Sequence, residues 1–293
     1  MNWTETISQI INGTKDLDAG LRDIIIASVK RTQRSYNSQP INYWAPTFVK
    51  HDDDNTHYKD GRYPSNHCEI KKFKHNDETI EIRYDHNAYG FRSDEMLEKT
   101  DNDLVVVTTG DSITYGQGLN VEYRYSDLFC KKLQQNTKKV VKNYNIAMPG
   151  HSNDYISRSI YQGIHTFRPD VIIFLFTFRN RLEWVNETNQ LQQIVPGFDD
   201  HTIFNLINED WSMYNFFKNF VLIDTLCRLY NLKFCFGSLD PVIAEGMCQH
   251  TNYIGNIELD NLAYDNEHPG IEKHKEIANK TYNKYIELYD KET

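Results

Sequence analysis

Two kinds of apolar pattern alternate along the second two-thirds of the chain. Leu104 to Val107 is an unbroken apolar run leading into Thr108 and Thr109, and Asp170 to Thr177 reads DVIIFLFT. Such runs have no polar alternation, so they predict strands buried on both faces, as in a parallel sheet. Val140 to Ala147 and Lys233 to Ser238 are read as two further strands. Helical spacing fills the gaps. Residues 121–135 set Tyr125, Leu128, Phe129 and Leu133 on one face, and Ser152-Asn153-Asp154 can cap a helix running to about Phe167. Helices are also expected from Met213 to Tyr230 and from Ile271 to Tyr289. Strands and helices in alternation predict an α/β fold with a doubly wound, flavodoxin-like parallel sheet.

The first part of the chain reads differently. Leu17, Leu21, Ile24, Ile25 and Val29 fall at helical spacing within 15–33, and residues 36–76 then become polar and irregular. Thr79 to Tyr84 (TIEIRY) alternates like a half-exposed strand, and Asn87 to Arg92 reads as a turn. We therefore expect a helical and irregular N-terminal extension over 1–80 and a main domain over 81–293. Residues 185–210 read as an irregular insertion over the site, and 239–265 as a loop.

Composition narrows the function. There are 32 basic against 41 acidic residues, a net charge of −9. That balance argues against a nucleic-acid partner, which would need clustered Lys and Arg. No stretch has the apolar length of a membrane span, and the N-terminus lacks the basic start and apolar core of a signal peptide, so a cytoplasmic setting is expected. Five widely spaced cysteines with no CxxC pair indicate neither a disulfide framework nor a zinc site. Asp52-Asp53-Asp54 lacks the ligand spacing of a calcium loop, so no metal is expected.

Two segments carry candidate chemistry. The run at 104–109 ends in Gly110-Asp111-Ser112, then a short turn with Gly116 and Gly118. In open α/β sheets the ligand crevice lies beyond the carboxyl ends of such strands, where Ser112 can act as an activated nucleophile. Equally, Asp111 and Ser112 can simply cap the next helix. The second segment is Asp265-Asn266-Glu267-His268-Pro269-Gly270. Here His268 can take the Ser112 proton while Asp265 orients the imidazole, or the residues can serve only as helix-entry chemistry. His151, beside Gly150, can contact substrate or be simply solvated; Cys248 and His250, with Asp240 in the same loop, can be read as a nucleophile pair or as chance neighbours; His165 and His274 read as structural or exposed.

These blocks resemble those of the SGNH (GDSL) hydrolase superfamily. The first is Gly110-Asp111-Ser112-Ile113-Thr114-Tyr115-Gly116, the second runs from Asn145 to Gly150, and the last is Asp265 to Pro269. Asn87 to Arg92 is similar to a lead-in of some esterase members, and the resemblance covers about residues 80–290. It implies a three-layer α/β/α fold, Ser112 as nucleophile, His268 as base and Asp265 as its partner. It also implies an oxyanion hole from the amides of Ser112 and Gly150 plus an Asn side chain. The third block departs from the pattern: Gly-x-Asn-Asp is replaced by Phe176-Thr177-Phe178-Arg179-Asn180-Arg181. Asn180 can be the third donor if the loop is longer. Otherwise Arg179 or Arg181 supplies positive potential suited to an anionic substrate, or both arginines pair with Glu183 or other carboxylates.

The expected activity is that of a serine esterase removing a small acyl group, acetyl above all, from a carbohydrate or similar alcohol, without metal or organic cofactor. The alternatives are a lipid or thioester hydrolase, an acyltransferase of the same fold, or a catalytically weakened binding module.

Overall fold

The computed structural model describes residues 47–48, 50, 62–75, 78–185, 191–195 and 208–289. The chain divides after Pro46, and all of these residues belong to the unit Thr47–Thr293. The amphipathic stretch at 15–33 and Asp52-Asp53-Asp54 lie outside the described residues.

A five-stranded parallel sheet forms the centre. Its strands are β3 (Asp103–Thr109), β4 (Val140–Asn145), β5 (Val171–Phe176), β8 (Lys233–Ser238) and β9 (Tyr253–Asn256), in the spatial order β4-β3-β5-β8-β9. By position along the chain this is the flavodoxin-like order 2-1-3-4-5, which reverses direction between β3 and β5. The pleat of β3 explains the layering. Val105 and Val107 face one helical layer with Ile172, Phe174, Phe176 and Phe236, whereas Val106 faces the other with Ile173, Leu175 and Cys235. The first layer is supplied by α3 (Asn153–Phe167) and α4 (Glu209–Leu229), through Ile156, Ile160 and Phe216 among others. The second is supplied by α2 (Tyr125–Gln135) and α6 (Ile271–Tyr289), through Phe129, Leu133 and Ile277. Phe174 stacks on Phe236 at 5.3 Å, and Phe176 meets Phe216 edge-on at 5.0 Å, so the first layer is largely aromatic.

Several boundaries differ from the sequence reading. The helix expected over 121–135 is broken at Arg124, whose extended backbone (ψ 142°) separates a 3-10 turn at Val121–Tyr123 from α2. The loop expected over 239–265 contains α5 (Pro241–Met247), started by Pro241 and capped by Asp240, and the short edge strand β9. The polar stretch at 36–76 contains β1 (Cys68–His75), which pairs antiparallel with β2 (Glu78–Asp85). This hairpin straddles the boundary drawn at 80/81, because TIEIRY finds its partner strand on the N-terminal side. A second hairpin, β6 (Leu182–Val185) with β7 (Leu191–Ile194), straddles the start of the insertion expected over 185–210. Among the described residues no helix is long and apolar enough to cross a membrane.

Candidate active site

All five sheet strands are parallel, so their carboxyl ends share one edge. The segments singled out in the sequence leave from that edge. After β3 the chain turns into α1 (Ser112–Tyr115), a single helical turn. Asp111 caps it, accepting from the Ile113 amide at 3.1 Å. The capping reading and the nucleophile reading thus describe the same turn, since the cap is what lifts Ser112 out of the strand. Asn145, at the end of β4, donates to the Thr114 carbonyl at 2.7 Å and holds α1 against the next loop.

The Asp265–His268 loop meets this turn. His268 Nε2 lies 2.9 Å from Ser112 Oγ, and His268 Nδ1 lies 2.8 Å from Asp265 Oδ2. The Ser112 residue is 9% exposed, and the side chains of Asp265 and His268 are 8% and 17% exposed, so the three are shielded yet reachable. Asp265 Oδ1 accepts from the amides of Glu267 and His268 at 3.1 and 3.0 Å. Burial pushes the Asp265 carboxyl up, but the bond from the His268 ring and the two amides outweigh it and hold the group below its usual range. An ionised Asp265 can only accept a hydrogen bond, so Nδ1 carries the proton that it donates to Asp265, and Nε2 is left to accept from the Ser112 hydroxyl.

Two backbone donors stand beside this chain. Among the described residues neither the Ser112 nor the Gly150 amide has an acceptor. Gly150 has φ +73°, in the left-handed region that glycine enters without a Cβ penalty. An added Cβ there would meet nothing within 4 Å, so glycine is required by conformation and not by crowding.

The turn after β5 is organised differently. Asn180 is exposed, and Phe178 is half-buried in the core layer of α2 and α6. Arg179 grips buried Asp240 through Nη1 at 2.8 Å to both oxygens and reaches Glu209 through Nη2 at 2.6 Å. Arg181 Nη1 donates to Asp111 Oδ2 at 2.9 Å, beside the Thr177 hydroxyl, which donates to the same oxygen at 2.8 Å. Glu183 pairs instead with Arg158 at 2.7 Å. Both arginines are therefore ion-paired, with carboxylates other than Glu183. The Arg181 guanidinium also lies over the Phe178 ring at 5.4 Å, and its remaining N–H groups have no acceptor among the described residues.

The remaining candidates are held by other partners. Cys248 Sγ donates to the Glu245 carbonyl, while His250 Nδ1 accepts from the Asn252 amide, and no contact joins the two among the described residues. His274 is fully buried, accepts from the Tyr125 amide at 3.0 Å, and is pushed down to about 3 by burial, then by Arg124. His165 stands beside Tyr230, and buried His151 has Nδ1 at 2.9 Å from the Pro149 carbonyl.

Several residues of the site escaped the sequence reading. Asn153, read as a helix cap, grips the backbone of Thr177 from both sides: its side chain accepts from the Thr177 amide at 2.9 Å and donates to the carbonyl at 3.2 Å. Gln193 of β7 accepts from the Ser152 amide at 3.1 Å, bringing the second hairpin to the Gly150 loop. Gly118 packs against the Asp265 carboxylate, with Tyr84 and Arg92 behind it. The sequence marks Gly118 only as a turn glycine, Tyr84 only as a strand residue and Arg92 only within the Asn87–Arg92 lead-in.

No protein-family model and no curated protein matches the chain. Solved structures similar to it include the psychrotrophic esterase EstA from Pseudoalteromonas sp., at 12% identity and TM-score 0.42, over 64% of this chain and 98% of that one. Another is the lipase Lip_vut3 from a goat rumen metagenome, at 13% identity and TM-score 0.41, over 62% and 97%. A third is a Clostridium thermocellum family 3 carbohydrate esterase, at 16% identity and TM-score 0.39, over 64% and 96%.

Proposed function

We propose that the chain is a serine ester hydrolase acting on small acyl esters, acetyl above all, of a carbohydrate or similar alcohol. The observation that carries this reading is the unbroken hydrogen-bonded chain from Asp265 through His268 to Ser112, at 2.8 and 2.9 Å. Ser112 Oγ attacks the ester carbonyl and its proton passes to His268 Nε2. The C–O bond to the alcohol breaks, and His268 returns that proton to the leaving alkoxide. Water then attacks the acyl-enzyme with His268 again as base, releasing the acid and restoring the hydroxyl. Asp265 stabilises the imidazolium formed in each half.

The charge on the tetrahedral oxygen would be met by the free amides of Ser112 and Gly150, where one such donor is worth about 3 kcal/mol. The third donor is assigned to Arg181 rather than to exposed Asn180, because Arg181 is tied to the residue preceding the nucleophile and keeps unspent N–H groups. Side chains and water suffice for this sequence of steps.

Incubation with a fluorophosphonate probe and with p-nitrophenyl acetate tests the reading. Wild type should label and turn over, and Ser112→Ala should do neither, with rates down on the order of 10⁶-fold. A wild type that neither labels nor hydrolyses above Ser112→Ala sinks the esterase and leaves a binding module. Transfer of the acetyl group to an added alcohol in preference to water would mark an acyltransferase.

A further inference from the structure

We propose that Tyr84 and Arg92 are positioning residues that act on Asp265 through Gly118. The inference rests on the esterase reading for its kinetic consequences, but its physical core is a set of contacts that meet at one glycine.

Gly118 has φ +76°, and a Cβ built on it would lie 2.6–2.8 Å from the three carboxylate atoms of Asp265. Glycine is thus the wall against which that carboxylate is seated. Both polar groups of the glycine are fixed. Its amide donates to Tyr84 Oη at 2.9 Å, and its carbonyl accepts from the amide of Tyr264, the neighbour of Asp265, at 3.3 Å. Sliding Gly118 therefore moves the Asp265 loop with it.

The flanks of Gly118 are held by a single buried guanidinium. Arg92 donates through Nη1 to the carbonyls of Tyr115 and Gly116 at 3.3 and 2.6 Å, and through Nη2 to those of Leu119 and Arg83 at 2.7 and 3.1 Å. It is 1% exposed, and its plane lies over the Tyr84 ring at 4.1 Å. The same cation thus stacks on the tyrosine that holds the Gly118 amide. Its acceptors are all backbone carbonyls of the nucleophile turn, its following loop and β2, so it fixes chain segments to one another and uses no carboxylate to do so. A planar fork suits this task and an ammonium does not. Serine and aspartate of the candidate site are in this way referred to one rigid frame.

Three variants test the proposal, each assayed as the full chain after active-site titration. Gly118→Ala should lower kcat by about 10–100-fold, with KM changed far less, as expected for a small displacement of a reacting group. Tyr84→Phe keeps the ring over Arg92 and removes only the oxygen that accepts from Gly118, so it should lower kcat in the same sense but less. Arg92→Lys should resemble Gly118→Ala. A readout independent of turnover is the low-field proton resonance of the Asp265–His268 hydrogen bond, which should move in each variant. The decisive overturning result is Tyr84→Phe with kcat per titrated site unchanged and that resonance unmoved, whatever happens to its melting temperature. Should Gly118→Ala fail to fold, Tyr84→Phe still decides. An inactive wild type that nevertheless shows the resonance moving on mutation would sink the esterase reading and leave the positioning intact.

Discussion

Two loops at the same sheet edge are built on opposite principles. The Asp265–His268 loop is local: its carboxylate is satisfied by its own amides two and three residues on and by the histidine of the same turn. The Thr177–Arg181 turn is assembled from afar, with Arg179 reaching Asp240 and Glu209, and Arg181 reaching Asp111. Local chemistry leaves a readable spacing. Long-range chemistry leaves only residue types whose partners the spacing does not reveal. The first loop also presents His268 Nε2 to the Ser112 hydroxyl, whereas in the second the Arg179 charge holds helices α4 and α5 to the turn.

Asp265→Asn probes the local loop most severely. It turns the imidazole toward the wrong tautomer, so kcat should fall on the order of 10⁴-fold while circular dichroism stays as in wild type. The same variant carries a pH signature. The folded carboxyl is depressed, so its contribution to stability is present above the ordinary carboxylate range and lost as the pH falls through the folded value. The melting temperature of Asp265→Asn should therefore decline less steeply on acidification than that of wild type. A kcat within tenfold of wild type would break the contrast between the loops.

Arg179→Ala should do the reverse. It strips the partner from Asp240, which is 2% exposed, and a buried charge left unpaired costs about 3–5 kcal/mol. The denaturation midpoint should drop accordingly, while the folded fraction keeps most of its kcat. A large loss of kcat without loss of stability would move Arg179 from scaffold to chemistry.

Arg181→Gln against Asn180→Ala sharpens the boundary between the two. Arg181→Gln should lower kcat on the order of 10²-fold, as for loss of one oxyanion donor, and Asn180→Ala should stay within about twofold. The opposite ranking would return the third donor to Asn180.

What could be read in the sequence follows the same division. Strands β3 and β5 are legible because burial on both faces makes Leu104–Val107 and Val171–Phe176 unbroken apolar runs. The edge strand β9 has four residues including Gly255 and reads as loop, and β1 (CEIKKFKH) carries charged residues on both its exposed and its half-buried positions and reads as merely polar. Ser112 and Gly150 stand out because each follows closely on a strand end, and Asp265 and His268 because they meet across only three residues of chain. Asn153, Gly118 and Tyr84 do not, because the role of each is set by a backbone group 24 or 34 residues away or by a carboxylate still farther along the chain. Arg179 and Arg181 were noticed for their charge, yet only the tertiary fold says where that charge goes.

The hydroxyl and imidazole that meet at 2.9 Å are 156 residues apart in the chain. One follows the first strand of the sheet and the other comes after the last, so every crossover between them must be in place before the two touch. Contacts of such separation are the slowest to close. Reaction with a serine-directed probe is therefore a stopwatch for this protein: during refolding it should start only once the edge strand has docked, well after the helices have formed.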